Sequence, residues 1–215
     1  MLTAADTQLF YWINHHHTCF LDWVMWVASQ GWSWAIVLVA AILYMVLCHR
    51  KKSYQLPPQG NRTQFSVLLL VGVGLCFLLS DRISVMCFKE VFCRLRPCHA
   101  LEDVRMFRTT CGGQYGFVSS HAANVFSLAL FLSLWHKKEE KGRLPRFSIF
   151  IFQLSIFAWA CLVCYSRPYL GKHYPGDVIC GALLGLLVGT AIFFILQLTD
   201  KLINEHRKKK KVSAK

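Results

Sequence analysis

The feature that most constrains this chain is a series of apolar runs, each long enough to cross the hydrocarbon layer of a membrane. Of the 215 residues, 55% are hydrophobic and only 16% are charged, which is unusual for a soluble domain. We therefore predict an all-α fold, a polytopic membrane helical bundle with about five transmembrane helices. The predicted spans are 21–48, with a weaker front half around Gln30 and Gly31, then 65–88, 119–135, 147–165 and 178–198.

A short apolar and aromatic segment precedes the first span. Residues 6–13 include Leu9, Phe10, Trp12 and Ile13, which indicates an interfacial helix too short to cross the membrane. A positively charged start and a small-residue cleavage site are both missing, so we do not predict a signal peptide. We expect one membrane domain over 1–215, with an interfacial N-terminal segment over 1–20 and a basic cytoplasmic tail over 200–215.

Positive charge is distributed unevenly, since none of the 24 Lys and Arg residues precedes Arg50. Many of them lie in the loops after the first and third spans and in the C-terminal tail, which the positive-inside rule places in the cytoplasm. The loops after the second and fourth spans then face outward. The net charge of +13 could suggest nucleic acid, but a basic tail beside a span is explained by topology and by anionic lipid heads. We predict no nucleic-acid partner.

Three other features have simple structural explanations. Most of the ten cysteines lie in apolar spans, whereas Cys98 and Cys111 share an outward loop where an oxidising exterior permits a disulfide. Asp81 and Arg82 interrupt the second span, and a local ion pair is the favoured interpretation. The triplet 15–17 of histidines is explained by a polar turn, because consecutive side chains point in different directions.

The first motif with chemical meaning ends the second span. Lys89 and Arg96 are seven residues apart and Pro97 follows. On a continuous helix this spacing places both cations on one face, and the proline then ends the helix. Two cations on one face suit an anionic ligand.

The second motif lies where the third span begins, at Ser119, Ser120 and His121. A serine is a good N-cap, and the unpaired N–H groups at the start of a helix carry the positive end of its dipole. The motif therefore fits either a phosphate site or a helix cap alone.

The third motif lies between the fourth and fifth spans. Pro175 suits the first turn of the last helix, so His173 lies just outside that helix and Asp177 just inside it. A carboxylate there can fix the tautomer of the imidazole, which leaves the other ring nitrogen free as a nucleophile or base. Arg167 offers a planar fork for phosphate oxygens.

Together these motifs resemble the signature of the type 2 phosphatidic acid phosphatase superfamily, over the second to the fifth span. The usual second motif of the superfamily is Pro-Ser-Gly-His, and here Val118 and Ser120 replace the proline and the glycine. The glycine normally lets the backbone approach phosphate closely, so Ser120 changes how the backbone N–H at this position is presented to phosphate. The first and third motifs of the superfamily match without a gap at Lys89, Arg96, Pro97, Ser166, Arg167, His173 and Asp177.

The resemblance implies hydrolysis of a phosphate ester through a phosphohistidine, without a metal or other cofactor. His173 would be the nucleophile, Asp177 would orient it, and His121 would act as general acid and later as base. The phosphate oxygens would be bound by Lys89, Arg96, Ser119, Ser120 and Arg167.

Motifs at the outward ends of spans predict a membrane lipid as substrate. Analogy with bacterial relatives favours undecaprenyl pyrophosphate, while phosphatidic acid, phosphatidylglycerophosphate and a lipid A phosphate also fit. Two alternatives stay open: a catalytically inactive lipid-binding membrane protein, and a phosphatase of a soluble sugar phosphate. We expect an integral protein of the bacterial inner (cytoplasmic) membrane with its active site on the periplasmic face. No oligomeric state follows from the sequence.

Overall fold

The computed structural model describes residues 4–52, 62–139 and 146–213, and within these ranges the chain is helical almost throughout. The one β feature in the described part is an isolated bridge between Leu95 and Tyr115, so the predicted all-α fold is confirmed. The helices are α1 (Ala4–His15), α2 (Cys19–Ser29), α3 (Gly31–Lys52), α4 (Arg62–Ile83), α5 (Glu90–Phe92), α6 (Pro97–Ala100), α7 (Ser120–Glu139), α8 (Arg146–Tyr169) and α9 (Pro175–Ser213), and a π-helical turn, Ser84–Lys89, joins α4 to α5.

Four helices of the described chain are long and apolar enough to cross a membrane. They contain the segments Gly31–Cys48, Thr63–Phe92, Phe147–Tyr169 and Pro175–Lys210. The predicted third span, α7, is not among them, although its 20 residues would extend about 30 Å. Since α7 packs against α4, α8 and α9, polar residues on it face protein rather than lipid.

The predicted first span is two helices rather than one. The backbone is extended at Gln30 (φ −81°, ψ 139°), which ends α2, and the membrane-spanning helix α3 begins at Gly31. Helix α2 packs instead against α8. The weaker front half of the predicted span is therefore a separate helix beside the C-terminal end of α8.

Helices α7 and α9 approach each other backbone to backbone along three glycines of α9. A Cβ placed on Gly181, Gly185 or Gly189 would come within 2.5, 2.3 and 2.5 Å of carbonyl oxygens of α7. Small residues every fourth position allow this approach between membrane helices. We call this contact the glycine seam; it joins the helix that begins at Ser120 to the helix that begins at Pro175.

The N-terminal segment forms the helix α1. One side of this helix packs on the protein and the other side is exposed. Phe10 and Ile13 are buried, whereas Leu9 and Trp12 are exposed. The Asn14 amide donates hydrogen bonds of 2.9 Å to the carbonyls of Arg105 and Tyr169. These hydrogen bonds connect α1 to the loop between α6 and α7 and to the C-terminal end of α8.

The long connection between α5 and α7 carries the predicted disulfide, since Cys98 and Cys111 are bonded with their Cα atoms 5.8 Å apart. The histidines at 15 and 16 point apart, as expected. His15 contacts the Asp103 carbonyl through Nε2 at 3.0 Å, and His16 contacts the Trp12 carbonyl through Nδ1 at 2.6 Å.

Candidate active site

A cavity of about 530 Å³ opens at the end of the bundle where the three motifs meet. One part of its wall is polar and the other part is apolar. The polar part includes Lys89, Arg96, Ser120, His121 and His173. The apolar part lies farther along α3, α4, α7 and α8 and includes Trp34, Leu38, Phe77, Leu128 and Trp159.

Lys89 is directed into the cavity by the π-helical turn. In such a turn, residues five apart follow one another along the helix, and Ser84 and Lys89 have this spacing. Both contact one hydroxyl: the Lys89 ammonium donates to Ser120 Oγ at 2.7 Å, and Ser84 Oγ lies 2.5 Å from the same atom.

The continuous helix predicted from Lys89 to Arg96 is wrong. Helix α5 ends before Cys93, whose φ of 47° is left-handed, and Pro97 begins α6 instead of ending a helix. The strand-like segment between them is held by hydrogen bonds from Arg96 N–H to the Gln114 carbonyl (3.1 Å) and from Gly116 N–H to the Arg94 carbonyl (2.8 Å). Both predicted cations nevertheless line the same cavity.

His173 lies in the turn before α9, and Pro175 begins that helix as predicted. Its Nδ1 faces Asp177 Oδ2 at 3.6 Å, and its Nε2 accepts a hydrogen bond of 3.3 Å from the Arg96 guanidinium. An accepting Nε2 places the proton of the neutral ring on Nδ1, so the Nε2 lone pair faces the cavity. Burial, and then Arg96 and Arg167, hold the pKa of His173 well below its usual range.

Gly116 leaves the space that this histidine and aspartate occupy. A Cβ at Gly116 would lie 3.1 Å from Asp177 Oδ2 and 3.5 Å from His173 Nδ1. A larger residue there would press against the Asp177 carboxylate and the Nδ1 side of the His173 ring.

His121 lies in the first turn of α7 and lines the same cavity as His173. Its ring packs edge-to-face against Trp34, with centroids 4.8 Å apart.

Ser119 itself does not line the cavity. Its N–H donates to the Asp177 carbonyl at 3.0 Å, and its hydroxyl accepts a long hydrogen bond of 3.5 Å from Ala122 N–H. Ser119 thus caps α7 and joins the starts of α7 and α9.

Arg167 is buried behind the cavity, with only 2% of the residue exposed, and it is not among the lining residues. In the described part of the chain, its Nε has no hydrogen-bond partner. A buried guanidinium with an unpaired N–H is costly unless an anion approaches it. Arg167 therefore adds to the positive field around His173 and His121.

Sequence reasoning missed two acidic residues and misjudged one arginine. Arg94, whose sequence position suggested only a positive charge near the mouth of the site, forms ion pairs with Asp177 (2.6 Å) and with Asp6 of α1 (2.7 Å). The predicted Asp81–Arg82 pair is wrong: Asp81 lines the cavity and Arg82 is exposed, with no ion pair between them in the described chain. The Arg-x-Arg pattern at 94–96 was a visible signal, whereas nothing in the sequence connects Asp6 to this site.

The arrangement can bind an oxyanion and transfer a group from it. Lys89 and Arg96 present cations to the cavity, Arg167 adds charge from behind, and the imidazoles of His121 and His173 both line it. A neutral imidazole with its lone pair toward bound phosphate can act as a nucleophile, and the second can exchange a proton with the leaving oxygen.

Comparison with other proteins finds phosphatases among the relatives of this chain. The chain is 30% identical over 195 residues to a lipid A 4'-phosphatase of Porphyromonas gingivalis, covering 89% of this chain and 73% of the relative. It is 32% identical over 200 residues to a lipid A 4'-phosphatase of Bacteroides thetaiotaomicron, covering 90% and 78%. An undecaprenyl-diphosphatase of Sulfolobus acidocaldarius is 26% identical over 84% of this chain and 73% of that protein.

Solved structures share the fold. The crystal structure of a transmembrane PAP2-type phosphatidylglycerolphosphate phosphatase from Bacillus subtilis superposes with a TM-score of 0.61, at 22% identity, over 93% of this chain and 86% of that one. Aquifex aeolicus LpxE gives a TM-score of 0.57 at 21% identity, over 89% and 96%. Residues 66–200 match the PAP2 superfamily, and with the relatives above this shows that the chain is an integral membrane phosphatase belonging to that superfamily.

Proposed function

We propose that this phosphatase removes a phosphate monoester from the sugar head group of a membrane glycolipid of the lipid A type, through a phosphohistidine on His173. The observation that carries the proposal is the composition of the cavity. Its phosphate-binding side chains continue into an apolar wall made by membrane-spanning helices. A lipid places its phosphate in the polar part while its chains remain against the apolar part.

In the first step, His173 Nε2 attacks phosphorus and the bond to the leaving oxygen breaks. The bound phosphate dianion offsets the positive field of the site, so His121 can carry a proton, and it gives this proton to that oxygen. Asp177 stabilises the positive charge that the His173 ring acquires. Lys89, Arg96 and Arg167, with the N-terminus of α7 at Ser119, offset the charge on the three equatorial oxygens.

In the second step, a water molecule attacks the phosphohistidine opposite the ring nitrogen. His121, now neutral, takes a proton from that water. The bond from phosphorus to Nε2 breaks, inorganic phosphate leaves, and His173 returns to its neutral form. Ser120 contributes by holding Lys89 in place.

Two observations favour a sugar-linked phosphate over undecaprenyl pyrophosphate, which the sequence alone favoured. The first is the similarity to two lipid A 4'-phosphatases over most of the chain. The second is the Asp81 carboxylate in the cavity wall, since it can accept a hydrogen bond from a sugar hydroxyl next to the phosphate. The similarity to the undecaprenyl-diphosphatase of Sulfolobus acidocaldarius makes undecaprenyl pyrophosphate the second candidate substrate.

We further propose that the protein resides in the bacterial inner membrane with this cavity on the periplasmic side. All three motifs lie at one end of the bundle. Helices α3, α7 and α9 run from this end towards the opposite one, and the sequence at or after the end of each is basic.

The test compares purified wild-type protein with His173→Ala, in detergent and EDTA, on four substrates: a lipid A 4'-phosphate, undecaprenyl pyrophosphate, phosphatidic acid and glucose 6-phosphate. We expect phosphate release by wild type alone, fastest from the lipid A substrate. Faster release from glucose 6-phosphate would show a soluble-substrate enzyme, and equal release by His173→Ala would refute the nucleophile.

The variant Asp81→Asn tests whether this carboxylate recognises the sugar of the glycolipid. If Asp81 binds a sugar hydroxyl, kcat/KM should fall about tenfold for the glycolipid and stay near the wild-type value for phosphatidic acid, which has no sugar. If Asp81 only offsets the positive charge of Lys89, kcat/KM should change by the same factor for both substrates. A uniform change would leave the glycolipid preference without its structural support.

A further inference from the structure

The N-terminal helix reaches the centre of the candidate active site through a chain of charges. We propose that Asp6 of α1 is a positioning residue for the reaction. It fixes Arg94, and Arg94 fixes the Asp177 carboxylate that orients His173. This inference rests on the proposed function, since it concerns the same histidine.

Arg94 lies between two carboxylates and uses one terminal nitrogen for each. Its NH1 group is 2.6 Å from Asp177 Oδ1, and its NH2 group is 2.7 Å from Asp6 Oδ2. The guanidinium also lies over the ring of Tyr174, 3.8 Å from the centroid. These three contacts hold the planar group in one orientation.

Asp6 also contacts the start of α9 directly. Its second oxygen, Oδ1, accepts a hydrogen bond of 2.8 Å from Gly176 N–H, and Gly176 precedes Asp177. Asp6 is itself buried, with 9% of the residue exposed. One buried carboxylate therefore holds both the arginine that binds Asp177 and the backbone from which Asp177 extends.

The two oxygens of Asp177 have separate partners, so its rotation matters. Oδ1 accepts from Arg94, while Oδ2 accepts from Tyr174 N–H at 3.1 Å and faces His173 Nδ1 at 3.6 Å. If Arg94 moves, the carboxylate can turn, and the Oδ2 atom leaves the imidazole. The ring then loses the group that selects its tautomer and stabilises its cation during phosphoryl transfer.

Asp6 also moderates the charge of Arg94. Without Asp6, the full positive charge of Arg94 acts on Asp177 alone. Asp177 would then attract a charged His173 ring less strongly, and the phosphohistidine step would slow. Because Asp6 does not line the cavity, substrate binding should change little.

Helix α1 has other anchors, so an Asp6 substitution should not release it. Phe10 is fully buried, the Tyr11 hydroxyl donates to the Glu102 carbonyl at 2.8 Å, and Asn14 bonds two further carbonyls. The isosteric variant Asp6→Asn keeps the size of the side chain and removes its charge.

The experiment measures kcat, KM and thermal midpoint for Asp6→Asn, Arg94→Met, the double variant and Asp6→Glu on the best lipid substrate. Asp103→Asn is the matched control, since its side chain is 91% exposed in the outward loop. We expect Asp6→Asn to lower kcat by 10- to 100-fold with KM within twofold, and Asp6→Glu to restore part of it. The double variant should be no slower than Arg94→Met.

A second readout does not require turnover. In protein labelled with ¹⁵N-histidine, the His173 signals, assigned by their loss in His173→Ala, report which ring nitrogen carries the proton. Asp6→Asn should shift the tautomer population, and Asp103→Asn should not. Wild-type kcat with an unchanged tautomer, or a loss of kcat that merely follows the thermal midpoint, would overturn the inference. Absence of phosphate release by wild type would instead count against the proposed function, and the tautomer would still test Asp6.

Discussion

Lys89 and Ser120 are joined by a hydrogen bond of 2.7 Å between the π-helical turn and the start of α7. Ser120 stands where the resembling family usually has glycine; its hydroxyl accepts a hydrogen bond from Lys89 and shares another with the Ser84 hydroxyl. The hydroxyl therefore takes on a task that glycine could not perform. It holds the cation that the π-helical turn directs into the cavity.

Replacing Ser120 with alanine should weaken phosphate binding. Loss of a hydrogen bond to a charged group costs about 1.5 kcal/mol or more, so we expect KM to rise roughly tenfold while kcat falls less. Initial-rate kinetics on the lipid substrate check this. Ser133→Ala is the control, because Ser133 is a buried serine of the same helix whose hydroxyl has no partner in the described chain. An unchanged KM in Ser120→Ala would remove this role.

Removing His121 should separate the two chemical steps. A nitrophenyl phosphate has a leaving group that needs no proton, so His121→Ala should still be phosphorylated by it. Water attack then lacks its base, and the phosphoenzyme should accumulate. Labelling with ³²P should reveal an acid-labile, alkali-stable phosphohistidine, absent in the double variant with His173→Ala. If His121→Ala turns over this ester at the wild-type rate, His121 is not the base.

Lys172 precedes His173 in the turn before α9; it does not line the cavity, but its charge acts on His121. Substrate binding should therefore weaken in mildly alkaline solution, where this charge is lost. Burial, and then the charges of Arg167 and Arg96, lower the pKa of Lys172 to about 8. The lysine is therefore charged below pH 8 and neutral above it, while the substrate phosphate is already a dianion there. KM should be flat below pH 8 and rise above it. In Lys172→Met, KM should be higher at pH 7 and lack that rise; a rise that survives the substitution would assign it to another group.

Widening the glycine seam should lower stability and activity together. A Cβ on Gly185 would lie 2.3 Å from the Ala123 carbonyl, so Gly185→Ala must push α7 and α9 apart. Overpacking of this kind costs about 1–3 kcal/mol, which should appear as a lower thermal midpoint in detergent. Gly74→Ala is the control, since a Cβ there meets no atom within 4 Å. Equal midpoints for the two variants would contradict the close approach.

The spans were largely predictable because apolar runs determine where a chain can cross a membrane. The break at Gln30 was not predictable, since apolar residues continue on both sides of it and only the backbone direction changes. The path of the chain from Lys89 to Arg96 was not predictable either. A π-helical turn and a left-handed Cys93 leave little trace in composition, although the spacing correctly placed both cations at one cavity.

The candidate site was predictable where its residues share a short motif. His173 and Asp177 are four residues apart, so their proximity follows from the start of one helix. The contact of Asp6 with Arg94 joins residues 88 apart and depends on how α1 docks. The glycine seam had a visible signal, the four-residue spacing of Gly181, Gly185 and Gly189, which only packing turns into a backbone contact.

The glycine seam also bears on how the enzyme responds to lipid composition. Bilayers differ in thickness, and membrane helices adapt by tilting. Since α7 and α9 touch backbone to backbone over three successive contacts, they should tilt as one unit rather than slide past each other. His121 and His173 lie at the starts of these two helices, so their separation should be insensitive to acyl-chain length, and turnover should vary with bilayer thickness only through substrate entry.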